Sequence, residues 1–380
     1  MKKSLLIFYI LLGCFVSSAQ LSQQATISVL TCRAGDDLYN MFGHTAVRVQ
    51  DPVQQLDEVY NYGLFSFKEP GFLMKFLRGK LNYWVGRASF DRFMGGYKTE
   101  RRSVLEQVLD LNHSQVNKLY QALRQNIKAE NKFYKYDFFF DNCTTRIRDI
   151  LEDNITLLNY SSTSNDYSYR QLLDQFNYVS PWTDFGMDLL VGTPADARAD
   201  AAGEMFLPEY LYGQLDKGSL GHTPLVKETK VLLDYESEVV ARSKTGMFRP
   251  SVLFGLLLLL ELFLFKGQKT NQKWLRVYDK LFFTILGIAG LIIVFMWFAT
   301  DHITTKNNMN LLWMNPLFLV LLFRKPQPLL LLLSAFMALS ILGASFIQQL
   351  HVASVIIILI GLLKLLRYYK YERQNQTNQI

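Results

Sequence analysis

His44 and Cys143 are the two side chains whose types and surroundings best suit covalent chemistry. Cys143 stands in Asp141-Asn142-Cys143-Thr144-Thr145-Arg146, where an aromatic run, YKYDFFF, gives way to a helical pattern. A thiol at a helix N-terminus feels the positive end of the macrodipole and free backbone N–H groups, and both lower its pKa. Such N–H groups can also hold an oxyanion. His44 stands in Phe42-Gly43-His44-Thr45-Ala46, where a loop enters a strand. An imidazole on an adjacent strand could take the thiol proton or pair with the thiolate. Spacing alone leaves other outcomes open. A cysteine in an exported protein is as readily half of a disulfide, and Cys32 is available as the partner. A lone histidine is as readily a core or capping residue. Asp141 and Asn142 read as helix caps. No HExxH, paired CxxC or Walker-type motif is present, so no metal, nucleotide or other cofactor is expected.

The elements that must position these residues read as mixed α and β. Alternating or β-rich runs predict strands at 25–32, 45–50, 58–67 and 103–111. A helix is expected over 113–127. Asn112 and Gln115 form a capping-box-like start, and Val116, Leu119, Tyr120, Leu123 and Ile127 fall on one face. A second helix is expected from near Asp141, with Ile147, Ile150 and Leu151 as its buried face. Ser161–Asp166 reads as a polar loop. His113 and His222 read as surface residues.

Composition places this head on a membrane anchor. Half of the 380 residues are hydrophobic, and from about Pro250 they gather into runs such as LLLLLELFLF and LIIVFMWFA, which excludes a wholly soluble protein. Five apolar segments follow, at roughly 250–266, 279–299, 311–323, 328–347 and 352–366, the third being the shortest. Positive charge alternates between the loops around them. Lys266, Lys269, Lys273, Arg276 and Lys280 lie in the first loop, Lys306 alone in the second, Arg324 and Lys325 in the third, none in the fourth, and Lys364, Arg367, Lys370 and Arg373 at the end. Five spans with the head outside and the C-terminus in the cytoplasm satisfy the positive-inside rule. Residues 1–19 read as a signal peptide, with Lys2 and Lys3, an apolar core and a small-residue cleavage site ending at Ala19. Cys14 gives this segment some likeness to a lipoprotein signal. The net charge of +7 belongs to the membrane loops: from Gln20 to Pro250 there are 26 Lys and Arg against 29 Asp and Glu. That excludes a nucleic-acid-binding head.

FGHTAVRV, NYG and YDFFFDNCTTRIRD, in that order, resemble the periplasmic domain of the Lnb-type lipoprotein N-acyltransferases. They also look like a remote relative of circularly permuted papain-like folds, such as the lecithin:retinol acyltransferase group, in which His precedes Cys. PWTDFGMDLLVGTPAD and MFLPEYL resemble later head motifs of the family, and TDHITTKNNMNLLWMNP its membrane-domain signature. The resemblance covers nearly the whole mature chain. It implies an α+β fold: a circularly permuted papain-like (NlpC-like) periplasmic catalytic domain over 20–248, then an all-α five-helix transmembrane domain over 249–370 and a cytoplasmic tail, 371–380.

The resemblance further implies a thiol-dependent, ping-pong acyltransferase of the bacterial inner membrane, needing no cofactor. Its acyl donor would be a membrane phospholipid and its acceptor a diacylated apolipoprotein. Cys143 would be the nucleophile and His44 its base, with a residue of the next strand orienting the imidazole. Asn61 and Tyr62 are the candidates there, and alternation sends them to opposite faces. Asn61 is preferred, because an Asn accepting from the imidazole fixes its tautomer. Tyr62 and Arg146 are carried as candidate substrate contacts, the latter for a lipid phosphate. Asp301, His302, Asn310 and Asn315 cluster at the outward ends of spans two and three, where polar groups are costly and often functional; His302 and Asn310 are expected to dock substrate. Trp297 and Trp313 fit an interfacial belt. Three rival readings stand beside this one; the third, a transporter, is opposed by five short spans in which Glu261 is the one mid-span charge. The first is a membrane-anchored cysteine hydrolase, phospholipase or peptidase, using the same dyad with water as acceptor. The second is a non-enzymatic envelope module closed by a Cys32–Cys143 disulfide.

Overall fold

Alternating side chains and antiparallel pairing build the head around one sheet. The computed structural model describes residues 20–377 except 36, 38, 162–163, 178–179, 236–247, 267–271, 325 and 345. The expected signal segment, with Cys14, therefore lies outside the described residues. The strands are Thr26–Cys32 (β1), His44–Asp51 (β2), Leu56–Leu64 (β3), Asn82–Ser89 (β4), Val104–Leu109 (β5), Phe133–Lys135 (β6), the two-residue Leu158–Asn159 (β7), Ser219–Leu220 (β8) and Thr223–Pro224 (β9), and Val226–Leu233 (β10). Seven of them form a sheet in the order β10-β5-β1-β2-β3-β4-β6, antiparallel throughout.

The four expected strands are present as β1, β2, β3 and β5. β4, β6 and β10 are additional; β6 has three residues, and β10 is a mostly exposed edge strand. Ile27, Val29, Val47, Val49, Tyr60 and Tyr62 line one side of the sheet. Leu30, Cys32, Ala46, Val59 and Val104 line the other, against Phe93 and Met94 of the helix Phe90–Glu100.

The two expected helices cover the first side, together with Pro208–Lys217, whose Leu211 and Leu215 join the same core. His113–Asn126 starts at a complete Asn112–Gln115 capping box and buries Val116, Leu119, Tyr120 and Leu123. Cys143–Asn154 buries Ile147, Ile150 and Leu151 on the same core. Both follow the expected periodicity, because a 3.6-residue apolar stripe has to meet the sheet face.

The C-terminal region is helical. Pro250–Lys266, Gln272–Phe298, Gln327–Gly343 and Val352–Thr377 are α-helices. Two helices among the described residues, Trp274–Phe298 and Val352–Lys370, are long and apolar enough to cross a bilayer. The 17-residue helices Pro250–Lys266 and Gln327–Gly343 rise roughly 25 Å at 1.5 Å per residue, a little under the ~30 Å of a hydrocarbon core.

The third apolar segment departs from the expected helix. It forms two 3₁₀ turns, Met309–Leu312 and Pro316–Leu322, each opened by an asparagine cap: Asn308 accepts from the Asn310 N–H and Asn315 from that of Leu317. Pro316 supplies no N–H and disfavours helix at Asn315, so a continuous α-helix cannot pass through. Trp313 likewise does not join an interfacial belt. It is buried, and its indole N–H donates to Asn310 Oδ1 at 2.9 Å.

Glu261, the one charge expected within a span, is neutralised. It lies buried beside Lys364 (2.9 Å) and Arg367, which also hold the buried Asp279 at 2.8 and 2.7 Å. Two cations and two anions thus tie three helices together where isolated charges would be very costly.

The junction between the halves is polar. Asn308 donates to the carbonyls of Leu189 and Leu190, Asn310 to that of Asp188, and the Gly192 N–H to Thr304. The head side of this junction is braced by Arg170. It is fully buried, bound to Asp188 at 2.5 Å and to Asp196 at 3.0 Å, and donates to the carbonyls of Val191 and Gly192. Arg170→Met leaves Asp188 buried without its counter-charge and is expected to cost roughly 3–5 kcal/mol. Thermal unfolding of the detergent-solubilised full chain measures this; an unchanged midpoint would contradict it.

Candidate active site

The site forms where the start of β2, the end of β3 and the start of the Cys143 helix meet. Gly43 (φ 82°) turns the chain into β2, a left-handed conformation that favours glycine, and His44 is the first strand residue. Its Nε2–H donates to Asn61 Oδ1 at 2.6 Å. That bond assigns the ring hydrogen to Nε2 in the neutral imidazole and leaves Nδ1 free to exchange a proton. Across β2 and β3, Tyr60 and Tyr62 enter the core while Asn61 takes the opposite side. The Tyr62 hydroxyl is held by Asn126 at 2.9 Å, so Tyr62 belongs to the core and the His113 helix.

Asn142 fixes the helix start. Its side-chain oxygen accepts from the N–H groups of Thr144 (2.7 Å) and Thr145 (2.9 Å), and its amide donates to the carbonyls of Phe138 and Phe206, both at 2.8 Å. The Asn142 N–H in turn donates to the Thr145 hydroxyl oxygen at 2.8 Å. Asn142 is the expected cap, and it takes two of the helix-start amides that could otherwise hold an oxyanion. Thr144 and Thr145 are already engaged, and the Cys143 N–H is the helix-start donor that Asn142 does not claim. Thr144 also ties the helix to the strand, its hydroxyl 3.2 Å from that of Thr45.

Electrostatics couple the two principal residues. Burial pushes the Cys143 thiol up. The charge and hydrogen-bonding reach of His44, the Thr45 N–H and the Thr144 hydroxyl outweigh burial and bring it down to about 7, from an ordinary 9.0. Burial works against charge on His44 as well, yet the Cys143 thiolate and the bond to Asn61 leave its pKa raised. Each group thus favours the charged form of the other, the condition for a thiolate–imidazolium pair. Cys32 behaves oppositely: burial pushes its thiol up to about 12.

The Cys32–Cys143 disulfide is not formed; both thiols are free. The two residues pack in separate apolar clusters, Cys32 with Leu30, Ala46 and Met94, Cys143 with the helix-covered core. Arg146 is engaged as well. It grips Asp141 through two bonds, of 2.5 and 2.6 Å, and lies 4.0 Å over the Tyr134 ring, so its charge is already matched. His302 Nε2–H donates to the Phe76 carbonyl at 3.1 Å, and Asn310 bonds to Asp188 and Trp313. Both hold the junction and make no contact with Cys143, His44 or Asn61.

Three contributors escaped the sequence reading. They are the Thr45 N–H, the Thr144 hydroxyl, and Gly63, at φ 84°, where a Cβ would stand 3.5 Å from that of Cys143. The NYG tripeptide was the available signal for Gly63.

Comparison with protein families matches residues 18–175 to the Lnb N-terminal periplasmic domain and residues 242–376 to the Lnb transmembrane domain. The sheet-rich head and the helical C-terminal region occur in the same order, which defines a membrane protein with a periplasmic N-terminal domain. The chain belongs to the Lnb-type family. Neither the curated proteins nor the solved structures compared contain a match to it.

With its pKa near 7, Cys143 should react with iodoacetamide at a rate that climbs through about pH 7, as thiolate replaces thiol. Cys32 should stay unmodified. His44→Ala removes the largest lowering influence, so alkylation at pH 7 is expected to slow at least tenfold, with the inflection moving toward pH 9. Peptide mapping over a pH series checks this; a wild-type inflection at pH 9 would contradict it.

Proposed function

We propose that this protein is a lipoprotein N-acyltransferase that carries the acyl chain on Cys143. The observation that carries the reading is the constellation of the buried Cys143 with the half-buried His44 and Asn61, its thiol brought down to about 7, in a chain with both Lnb domains. The Cys143 thiolate attacks the ester carbonyl of a membrane phospholipid. A C–S bond forms, the C–O ester bond breaks, and the imidazolium of His44 protonates the departing lysophospholipid oxygen. The Cys143 N–H stabilises the oxyanion on the way.

In the second half, the free α-amine of the diacylglyceryl-cysteine of an apolipoprotein attacks the thioester carbonyl. The C–N bond forms, the C–S bond breaks, and the now neutral His44 takes the amine proton, restoring the ion pair. A thioester suits this relay because amines attack it readily. Asn61 is the orienting residue, since its oxygen accepts from Nε2 and leaves Nδ1 toward the reaction. Tyr62, Arg146, His302 and Asn310 act as supports, because their polar groups are engaged elsewhere.

His on a strand preceding Cys at a helix start supports a circularly permuted papain-like arrangement. The alternating loop charges support five crossings of the inner membrane, with the 3₁₀ segment 309–322 as the third.

In cells lacking other N-acylating activity, Cys143→Ser is expected to abolish N-acylation of lipoprotein amino termini, and His44→Ala to reduce its rate roughly 10²–10⁴-fold. Mass spectrometry of lipoprotein N-terminal peptides at matched protein levels measures both. Undiminished triacylated product with Cys143→Ser would overturn the assignment.

A further inference from the structure

Between β3 and β4 the chain forms a hairpin unlike the rest of the head. Its short helix, Phe72–Leu77, buries none of its residues. Phe67, Leu73, Met74 and Phe76 stand 67, 66, 55 and 45% exposed. A contiguous exposed apolar face of this kind marks a surface that meets another apolar phase.

The tip is fastened to the membrane half. The Asp301 N–H donates to the Arg78 carbonyl at 2.9 Å, and His302 to that of Phe76 at 3.1 Å. These partners lie just beyond the apolar helix that ends at Phe298, so the hairpin sits where a span leaves the bilayer. Its charges match a lipid surface: Lys68, Lys75, Arg78 and Lys80 outnumber two acids, Glu69, paired with Lys75, and Asp301, 4.0 Å from Lys80. Basic side chains at that level are attracted to phosphate headgroups.

From this tip a row of rings runs inward. Phe76 lies 5.9 Å from Phe72, Phe72 6.0 Å from Phe65, Phe65 5.4 Å from Tyr83, and Tyr83 4.6 Å from Tyr136, between centroids. Tyr136 borders Gly63, where a Cβ would stand 3.6 Å from the tyrosine ring and 3.5 Å from Cys143 Cβ. The row therefore ends on bare backbone beside the nucleophile.

We propose that hairpin 65–81 dips into the lipid surface and that the aromatic row guides one phospholipid acyl chain from the bilayer to Cys143. This rests on the acyl-transfer reading for its purpose but not for its test. Rings in series offer an alkyl chain continuous apolar contact, and the lysines and Arg78 hold the headgroup phosphate at the entrance.

The full chain carrying Cys143→Ala, reconstituted in phosphatidylethanolamine and phosphatidylglycerol vesicles, is irradiated with a phosphatidylethanolamine bearing a diazirine in one acyl chain. Cross-links are expected in peptides covering 65–83 and 133–136; cross-links confined to 250–370 would overturn the proposal. Phe72→Ser with Phe76→Ser, with Cys143 intact, is expected to slow acylation of Cys143 from vesicle phospholipid at least tenfold while leaving its alkylation by iodoacetamide within twofold. Equal loss of both reactions, or loss of neither, would also overturn it. Cross-links at the hairpin together with no acylation of the wild-type chain would support the lipid path and count against the acyl-transfer reading.

Discussion

The whole arrangement depends on a half-buried imidazole and a buried thiol that each make the other's charge tolerable. Burial alone drives a histidine and a cysteine toward their neutral forms. Side by side, the two reverse that tendency: Cys143 falls to about 7 and His44 rises. Cys32 shows the opposite balance in the same domain: burial outweighs the lowering influence of Tyr97 and Arg102 and pushes its thiol up to about 12. Asn61 fixes the ring from one side, and the Thr45–Thr144 contact fixes the strand to the helix. Asn142 uses its whole side chain to set where that helix begins.

Much of this was legible because local rules and tertiary demands agree. The Asn112–Gln115 box, the apolar stripe of the His113 helix and the alternation in β1, β2, β3 and β5 are each satisfied by one sheet with helices on it. Alternation alone separated Asn61 from Tyr62. What stayed hidden depends on contacts distant in sequence. β6 is three residues long, and β10 carries exposed, mixed side chains, so neither had a period to detect. The closure of the helix-start amides by Asn142 could be read as a cap but not as a loss of oxyanion donors, which only the geometry of Thr144 and Thr145 reveals. The disulfide alternative was equally undecidable in sequence, and it ends with the sheet sending Cys32 and Cys143 into different clusters.

The membrane half shows hydropathy succeeding on content and failing on shape. The apolar segments are where composition places them, but Asn315-Pro316 breaks the third into 3₁₀ turns. Trp313 is drawn inward by Asn310. The asparagines of that segment reach back to the carbonyls of residues 188–190. Polar side chains at a costly depth are therefore accounted for by attachment of the head, and the same attachment at Asp301 and His302 holds the aromatic hairpin at the end of a span. On the proposed reading, catalysis and anchoring share one constraint: a sulfur that attacks lipid ester carbonyls has to be held at a fixed height over the lipid.

The central claim, that Cys143 itself carries an acyl chain taken from phospholipid, is tested most directly without any acceptor. Purified full-length protein is incubated with phospholipid vesicles, quenched in acid and mapped by mass spectrometry. The peptide containing Cys143 is predicted to gain one fatty-acyl mass that neutral hydroxylamine removes and that is absent in Cys143→Ser. An unmodified Cys143 peptide alongside released free fatty acid, or an acyl group found on another residue, would contradict it.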